Sequence, residues 1–276
     1  MSKVLAVDMG GTKIALGIME GEVLLSKHEV PVPKVTTKRE LLELFTNSID
    51  QVVTPEISAI GIGIPGLVDR KTGTIYDLLN VPAWDKVPLG GYLSEKYGLP
   101  VHIDNDANCF ALAEYHLGKH NADEMVGLAL GTGLGAGIIS NGQLVHGASC
   151  GAGEFGMIPY LDYFIEYYAC GQFFENVYGL KGDEVFEMAG QGDAKALSMY
   201  AELGQHIGYA ISVIRLAVDP ELIVLAGSVA NGFEYFNDTM WKQLVKHPFP
   251  SAMKSVDIKV SKLKNAPLLG AGCLCK

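Results

Sequence analysis

Positive charge is scarce in this sequence. The 276 residues include 21 Lys and Arg against 31 Asp and Glu, which gives a formal net charge of −10. A protein that binds nucleic acid through its phosphates needs a basic face, because positive charge attracts the phosphate backbone at long range. The charge balance therefore argues against a nucleic-acid partner, and we expect none.

Long hydrophobic runs are lacking as well. The most apolar stretches, Ile57 to Val68 and Met125 to Ile139, are interrupted by Gly, Ser, Thr or Pro and fall short of the roughly 20 apolar residues of a membrane span. The apolar run before Asp8 is too short for a signal peptide, which needs about 7–15 apolar residues. The five cysteines are scattered and odd in number, which is typical of reduced thiols. We expect a cytoplasmic protein with no membrane partner.

Two common nucleotide-binding motifs are absent. The pattern G-x-x-x-x-G-K-[ST] occurs nowhere, so the chain is not a P-loop protein. The glycines of Gly131–Gly137 alternate with other residues, so they lack the G-x-G-x-x-G spacing, and they lie between two apolar runs rather than before a helix. A Rossmann dehydrogenase is therefore disfavoured.

Glycine, by contrast, is abundant, and it separates short apolar runs of strand length. The first part of the chain predicts the order strand, strand, strand, helix, strand. The predicted strands are Lys3–Asp8, Lys13–Met19, Glu22–Val30 and Ser58–Ile64, and the helix is Thr37–Val53, with Thr36 or Thr37 as its cap and Glu40 placed for a capping box.

A similar pattern starts again near residue 124. Leu5–Ile18 aligns with Leu128–Ile139, because each consists of an apolar strand, a glycine-rich turn and a second apolar strand. A long helix over Asp193–Val218 and a buried strand over Glu221–Ala226 follow. An internal repeat of this kind predicts an α/β protein built from two similar halves.

The two glycine-rich turns are candidate phosphate sites. Glycine has no Cβ, so backbone N–H groups in such turns can approach an anion closely. The first turn also carries Asp8, which can hold Mg²⁺ through water, and the polar side chains Thr12 and Lys13. Either turn alone is more often a plain hairpin, but two related turns can bind one polyphosphate.

A polar cluster follows the predicted strand that begins at Val101. It comprises Asp104, Asn105, Asp106 and Asn108, and it directly precedes or opens a helical pattern. Any one of these residues is explained as a helix N-cap, since Asp and Asn satisfy free N–H groups there. The cluster is richer than one cap requires, and a carboxylate in it can accept the proton of an attacking hydroxyl in phosphoryl transfer.

Seven motifs together resemble the ROK family of bacterial sugar kinases and sugar-responsive repressors, and the match is glucokinase-like. They occur in the family's order and cover nearly the whole chain. The motifs are Asp8–Lys13, Gly61–Gly66, Asn80–Trp84, Asn105–Asn108, Leu130–Gly135, Gly151–Gly156 and Leu225–Ser228.

The resemblance implies an α/β protein with the actin/hexokinase-type (RNase H-like) duplicated two-domain fold and an active-site cleft between the domains. We expect a small N-terminal domain, 1–108, completed by the C-terminal segment 264–276, and a larger domain, 109–263. The resemblance makes Asp106 the catalytic base and places Asp8 near Mg²⁺. The implied ATP-binding residues are Gly10, Gly11, Thr12, Lys13, Gly131, Thr132, Gly133, Gly227 and Ser228; the implied sugar-binding residues are Gly66, Asn80, Asn105, Asp106, Glu154 and Glu175.

The chain departs from the family pattern after Gly156. Many members have a histidine next and then a cysteine cluster that binds zinc, whereas this chain has Met157 and, in that region, only Cys170. One cysteine cannot form a thiolate-rich tetrahedral site, so we predict no zinc. Tyrosines, including Tyr160 and Tyr163, occupy this segment and can present aromatic faces. Glu175 matches the family's last sugar-binding glutamate only with a two-residue gap.

The resemblance implies an ATP-dependent hexose kinase that phosphorylates the 6-hydroxyl of glucose or a related hexose, with ATP and Mg²⁺ as cofactors. An N-acetylhexosamine (N-acetylmannosamine or N-acetylglucosamine) or a β-glucoside remains open as substrate. A sugar-responsive regulator without catalysis is the more distant alternative. Repressors of the family carry a winged helix before the first glycine turn, for which Asp8 leaves no room. Because the family is commonly dimeric, we expect a homodimer.

Overall fold

A computed structural model describes residues 2–33, 37–76, 86–247 and 249–276. The chain forms two structural units. The first unit comprises Met1–Asn121, Leu144–Ala152 and Leu263–Lys276, and the second comprises Ala122–Gln143 and Gly153–Lys262. Each unit is built around one five-stranded mixed sheet.

The first unit contains the elements predicted at the start of the chain. Its strands are β1 (Lys3–Met9), β2 (Lys13–Glu20), β3 (Val23–Pro31), β4 (Ile57–Ile64), β5 (Leu67–Asp69), β6 (Thr74–Tyr76) and β7 (Val101–Asn105). Its helices are α1 (Lys38–Asp50), α2 (Leu89–Tyr97), α3 (Asp106–Leu117) and α10 (Ala266–Cys273). The sheet order is β3-β2-β1-β4-β7, with β5 and β6 as a separate hairpin. The predicted strand, strand, strand, helix, strand order is confirmed.

The predicted capping box at the start of α1 is confirmed with Thr37 as the cap. The Thr37 side chain accepts a hydrogen bond from the Glu40 backbone N–H, and the Glu40 carboxylate accepts one from the Thr37 N–H. This exchange satisfies two donors that a helix N-terminus otherwise leaves free. Thr36, the other residue considered for the cap, lies outside the described residues.

The C-terminal helix α10 belongs to the first unit because it packs directly against α3. A Cβ placed on Gly270 would lie 1.7 Å from the carbonyl oxygen of Cys109, so only glycine permits this approach of the two backbones. Leu268, Leu269 and Ala271 are buried on the same helix. The last residues of the chain therefore help to position the helix that begins at Asp106.

The second unit repeats the sheet of the first. Its strands are β8 (Met125–Leu130), β9 (Leu134–Ser140), β10 (Gln143–Leu144), β11 (Pro159–Tyr160), β12 (Tyr163–Phe164), β13 (Leu222–Ala226) and β14 (Asp257–Val260). Its helices are α4 (Ile165–Tyr168), α5 (Phe173–Tyr178), α6 (Gly182–Gly190), α7 (Ala194–Val218), α8 (Phe233–Leu244) and α9 (Pro250–Lys254). The order β10-β9-β8-β13-β14 matches that of the first sheet, with one antiparallel and two parallel pairings at corresponding places. The predicted internal repeat is confirmed.

The long helix α7 begins and ends where the sequence predicts. The Asp193 carboxylate accepts a hydrogen bond from the Ala196 N–H and caps the first turn. At the other end Asp219 takes a left-handed backbone conformation with φ of 45°, and Pro220 follows it. Proline cannot donate the next helical hydrogen bond, so the chain turns into β13.

The expected domain boundary at residue 108 falls inside α3, which lies whole within the first unit. A boundary in the middle of a helix would divide a continuous backbone hydrogen-bond ladder, and this stretch of the first unit runs on to residue 121 instead. The expected division into two domains stays a prediction. Among the residues that the structure describes, every helix is too short or too polar to span a membrane.

Candidate active site

The junction between β7 and α3 carries the predicted base and one predicted sugar-binding residue. Asn105 is the N-cap of α3, and its side-chain oxygen accepts a hydrogen bond from the Ala107 N–H at 2.8 Å. Its side-chain nitrogen donates to the Gly66 carbonyl at 3.3 Å. The structure thus brings Gly66 and Asn105 together. Asn105 caps the helix and at the same time lies directly before Asp106.

Asp106 is the first residue of α3. One of its carboxylate oxygens accepts the same Ala107 N–H at 2.8 Å, and burial raises its pKa above the ordinary aspartate value. A raised pKa makes a carboxylate a better proton acceptor once it is ionised. This environment suits a general base that takes a proton from an alcohol.

Asp8 lies in the same unit, at the end of β1. Burial, and next the neighbouring negative charge of Asp106, raise its pKa to about 7. A partly buried carboxylate whose pKa is raised by a neighbouring carboxylate favours a cation beside it. Oxygen ligands of this kind suit Mg²⁺, which usually takes one or two carboxylates together with water and substrate phosphates. The residues therefore fit the predicted Mg²⁺ site at Asp8.

The first glycine-rich turn, Gly10 to Lys13, links β1 to β2. The Gly10 N–H donates to the Lys13 carbonyl at 2.9 Å, which closes the turn. The Lys13 ammonium, expected to contact phosphate, is paired with the Glu29 carboxylate at 2.8 Å, and Glu29 also holds Lys27. In this structure the side chain of Lys13 therefore pairs with β3, and its contact with phosphate stays a prediction.

The second glycine-rich turn lies in the second unit, between β8 and β9. The Gly131 N–H donates to the Gly133 carbonyl at 3.0 Å. Gly227, with φ of 91°, approaches this turn so closely that a Cβ on it would lie 2.3 Å from the Leu130 carbonyl oxygen. The structure therefore brings together the predicted ATP-binding residues of this unit, since Ser228 directly follows Gly227.

A neighbouring segment holds the same turn with three hydrogen bonds. The Gly171 N–H donates to the Gly131 carbonyl at 2.7 Å, and the Cys170 thiol donates to the Thr132 carbonyl at 3.0 Å. The Glu166 carboxylate accepts from the Leu134 N–H at 2.7 Å. The turn is thus braced by residues far along the chain.

Sequence reasoning missed Glu166; the glutamate that it named in this region is Glu175, as a sugar-binding residue. Glu175 lies exposed on α5, whereas the Glu166 carboxylate would meet a Cβ on Gly133 at 2.4 Å. The contact with Leu134 spans 32 positions, and no spacing in the sequence marks it. The sugar-binding role of Glu175 stays a prediction, and Glu166 is the carboxylate that reaches the second glycine-rich turn.

The remaining predicted sugar-binding residues are not tested by the geometry. Glu154 lies exposed just before the short 3-10 turn Phe155–Met157, and Met157 in that turn is also exposed. Asn80, with the rest of 77–85, lies outside the described residues. Their roles stay predictions.

The tyrosine-rich segment after Met157 packs largely on itself. Tyr160 stacks on Tyr209 with ring centroids 4.1 Å apart, and Tyr163 stacks on Tyr167 at the same distance. The Tyr160 hydroxyl lies 3.1 Å from Nδ1 of His206. Aromatic packing thus orders the stretch where many family members have cysteines, and the predicted absence of zinc stays a prediction.

A second cluster surrounds Asp104, and sequence reasoning missed its members His146 and Cys150. Asp104, His146 and Cys150 each offer one metal-ligand type of atom, all within 4.8 Å of one another. The Asp104 carboxylate is fully buried, and both of its oxygens have partners, including His146 Nδ1 at 2.6 Å and the Arg70 guanidinium at 3.6 Å. Burial alone would raise the pKa of Asp104, but hydrogen bonds from His146 and Asn108 hold it below the ordinary value. The Asp104 carboxylate is therefore held in a hydrogen-bonded network.

Comparison with known proteins agrees with this architecture. The ROK family model matches residues 4–276. A glucokinase from Halalkalibacterium halodurans is 30% identical over 98% of this chain and 94% of its own length. An N-acetyl-D-glucosamine kinase from Escherichia coli is 32% identical over 89% of this chain and 90% of its own.

Solved structures show the same similarity. A ROK family glucokinase from Streptomyces griseus, in complex with glucose and AMPPNP, has a TM-score of 0.82 at 27% identity, over 99% of this chain and 98% of its own. A ROK hexokinase from Thermus thermophilus has a TM-score of 0.80 at 29% identity, over 99% and 97% of the two chains.

Two units with the same sheet order, each with a glycine-rich turn after its first strand, define an α/β protein of the actin/hexokinase-like class. The predicted fold class is confirmed. The chain belongs to the ROK family, so the resemblance found in its motifs is confirmed too.

Proposed function

We propose that this ROK family member is an ATP-dependent sugar kinase that transfers the γ-phosphate of ATP to the 6-hydroxyl of glucose or a related hexose. The observation that carries the proposal is the β7–α3 junction, where Asp106 has a raised pKa and Asn105 is fixed beside it. The named kinases among the relatives support the same reaction class.

In the proposed reaction Asp106 removes the proton of the sugar hydroxyl. The freed oxygen attacks the γ-phosphorus, the bond from that phosphorus to the bridging oxygen of ADP breaks, and ADP leaves with the electron pair. A positioned general base of this kind contributes about 10²–10⁴ in rate. Asn105 and Gly66, joined by a hydrogen bond, would orient the sugar hydroxyls.

The glycine-rich turns would hold the nucleotide. The Gly10 and Gly131 N–H groups close the two turns, so the N–H groups suited to phosphate oxygens are those of Gly11 and Thr12 and of Thr132 and Gly133, because turns of this kind form anion-binding concavities. When bound, Mg²⁺ would neutralise phosphate charge, and Asp8 would hold it through water. Gly227 and Ser228 would contact the adenosine.

The relatives support more than one preferred hexose. The relatives include both a glucokinase and an N-acetyl-D-glucosamine kinase, at similar identity. Met157 can neither donate nor accept a strong hydrogen bond, so a sugar whose anomeric end makes few polar contacts would lose least there. We therefore keep N-acetylhexosamines and β-glucosides as alternative substrates.

The test is release of ADP from Mg-ATP across glucose, mannose, fructose, N-acetylglucosamine, N-acetylmannosamine and cellobiose. Asp106→Asn serves as the blank, and Asp50→Asn, which removes an exposed carboxylate on α1, is the matched control. We expect turnover on at least one sugar that is lost in Asp106→Asn and retained in Asp50→Asn. Silence of the wild-type protein across the panel would count against the kinase and favour the non-catalytic regulator.

A further inference from the structure

Asp104 is the centre of a buried network in the first unit that the proposed reaction does not use directly. Its side chain has no exposed surface. One carboxylate oxygen accepts hydrogen bonds from the Asn105 N–H and the Asn108 side-chain nitrogen, each at 2.8 Å. The other oxygen faces His146 and Arg70. We call these five residues the Asp104 network.

The first oxygen of Asp104 fixes the backbone that carries the predicted base. Asn105 is the next residue and Asp106 the one after it. A charged acceptor on the Asn105 N–H sets the orientation of the peptide at the start of α3, and such charge-assisted bonds are roughly twice as strong as neutral ones. The bond to Asn108 ties the same carboxylate to the first turn of the helix. Any movement of Asp104 would therefore be passed to Asn105 and Asp106.

The second oxygen of Asp104 is held from a distant part of the chain. His146 Nδ1 lies 2.6 Å from it, across 42 positions of sequence, and the imidazole is 23% exposed. The Arg70 guanidinium is farther away, at 3.6 Å, and half exposed. Of the two partners, His146 therefore makes the shorter contact with Asp104 and has the less exposed side chain.

The stretch that carries His146 is itself anchored to this part of the unit. The Val68 N–H donates to the Ser149 carbonyl at 3.0 Å, and the Asn108 side chain donates to the Cys150 carbonyl at 3.3 Å. The backbone on which His146 stands is thus connected both to β5 and to α3. Because the backbone of this segment is held by its own hydrogen bonds, the His146 side chain can restrict movement of the Asp104 carboxylate.

We propose that His146 is a positioning residue for sugar phosphorylation, acting through Asp104 to hold Asn105 and Asp106 in their working geometry. The inference rests on the proposed function. The role predicts a specific change in kinetics. In the proposed reaction Asn105 and Asp106 bind the sugar and take its proton, whereas the glycine-rich turns bind ATP. Loss of His146 lowers kcat and raises the KM for sugar, and it leaves the KM for Mg-ATP unchanged.

His146→Ala removes the short bond and leaves the more distant Arg70 guanidinium and the Cys150 thiol near the Asp104 carboxylate. We expect kcat to fall by at least about tenfold, since a misplacement of about 1 Å at a reacting group can cost on the order of 100-fold. His146→Asn restores most of the loss, because the asparagine side-chain nitrogen can donate from nearly the place of Nδ1.

The chain offers a matched control near the other end of α3. His120 Nε2 lies 2.8 Å from the carboxylate of Glu114, a residue of α3 that is 1% exposed. His120→Ala therefore removes a histidine–carboxylate contact of the same kind, but away from the junction. It is expected to lower Tm to a similar degree as His146→Ala and to leave kcat and both KM values within about twofold of the parent.

A double-mutant cycle tests whether His146 acts through Asp104. The proteins are the wild type, His146→Ala, Asp104→Asn and the combination, with His146→Asn and His120→Ala beside them. Each is assayed for kcat, KM for sugar, KM for Mg-ATP and Tm. If His146 works through the Asp104 carboxylate, His146→Ala costs less than about twofold in the Asp104→Asn background, because coupled residues are not additive.

The outcomes separate the inference from the proposed function. Absence of sugar turnover in the wild type overturns the proposed function and with it the inference. Turnover in the wild type with an unaltered His146→Ala, or with the same kinetics for His146→Ala and His120→Ala, overturns the inference alone. Full additivity in the cycle also overturns it. If Asp104→Asn does not fold, the comparison of His146→Ala, His146→Asn and His120→Ala decides.

Discussion

At the scale of single residues, three aspartates of the first unit differ in pKa because their surroundings differ. Asp104 is fully buried but surrounded by donors, so its pKa lies below the ordinary value. Asp106 and Asp8 have too few donors to offset burial, and their pKa values are raised, that of Asp8 to about 7. Carboxylates with a raised pKa are candidates for proton transfer or metal binding, whereas a buried carboxylate with a lowered pKa is a candidate for a structural role.

Replacement of Asp8 by Asn should make the protein more stable at high pH. The folded-state pKa of Asp8 is about 7 against an unfolded value near 4, so the folded protein binds more protons between these values and loses stability as the pH rises through them. At pH 8 we expect Asp8→Asn to raise the free energy of unfolding by about 1–3 kcal/mol, and with it Tm by several degrees. At pH 4 we expect Tm to be unchanged.

Thermal unfolding of both proteins at pH 4, 6 and 8 measures this, with Asp50→Asn as the control whose Tm does not rise. An equal Tm for Asp8→Asn and the parent at pH 8 would contradict the raised pKa. The same variant should need more Mg²⁺ for activity, because Asp8 is the predicted holder of the ion.

At the scale of secondary structure, the position of Asp106, the predicted base, depends on how closely α3 and α10 approach. Gly270 of α10 lies against the Cys109 carbonyl of α3, three residues after Asp106. Interiors are packed too tightly for an added methyl group to be absorbed without movement. The C-terminal helix therefore supports the β7–α3 junction.

Gly270→Ala is predicted to be strongly destabilising. Its Cβ would lie 1.7 Å from the Cys109 carbonyl oxygen, so α3 and α10 must separate, at a cost of roughly 1–3 kcal/mol or more. Gly91→Ala, also inside a helix, is the matched control, because a Cβ on Gly91 meets nothing within 4 Å and alanine favours the helix by about 1 kcal/mol.

Chemical denaturation of both variants should give opposite changes in the free energy of unfolding, with a fall in kcat only for Gly270→Ala. A Gly270→Ala protein as stable as its parent would show that the two helices are not in contact as described.

Local patterns in the sequence were sufficient for the elements and for the residues that lie next to one another in the chain. The cap at Thr37, the junction at Asn105 and Asp106 and the two glycine-rich turns all follow from neighbouring residues. Glu166 and His146 could not be found in this way, because each acts on a group more than 30 positions away. The pairing of Lys13 with Glu29 could not be predicted from the sequence either, because it depends on the register of β2 against β3.

At the scale of the whole molecule, one sheet plan serves twice, and the two copies have different tasks in the proposed reaction. The first unit supplies Asp8, Asn105 and Asp106, and the second supplies a phosphate turn braced by Glu166, Cys170 and Gly171. Duplication of the sheet accounts for the paired glycine-rich turns.

The assembly state is a further prediction at this scale. We expect a homodimer, as the family resemblance implies. The β11–β12 hairpin exposes Leu161, at 66%, together with Tyr163 and Phe164, and an exposed apolar patch of this kind is typical of an interface. Sedimentation velocity at micromolar concentration should show a dimer that Leu161→Asp weakens and that Leu216→Asp, a change at an exposed site on α7, does not. A monomeric parent protein would contradict the prediction.

The central claim is that Asp106 is the base of a phosphoryl transfer to sugar, and one measurement addresses it most directly. The transfer rate of Asp106→Asn is determined at saturating sugar and Mg-ATP, and the affinity for both ligands is measured by calorimetry on the same preparation. We predict affinities close to those of the parent and a transfer rate lower by about 10²–10⁴. Transfer at a near-normal rate with both ligands bound would contradict the claim and remove Asp106 from the role of base.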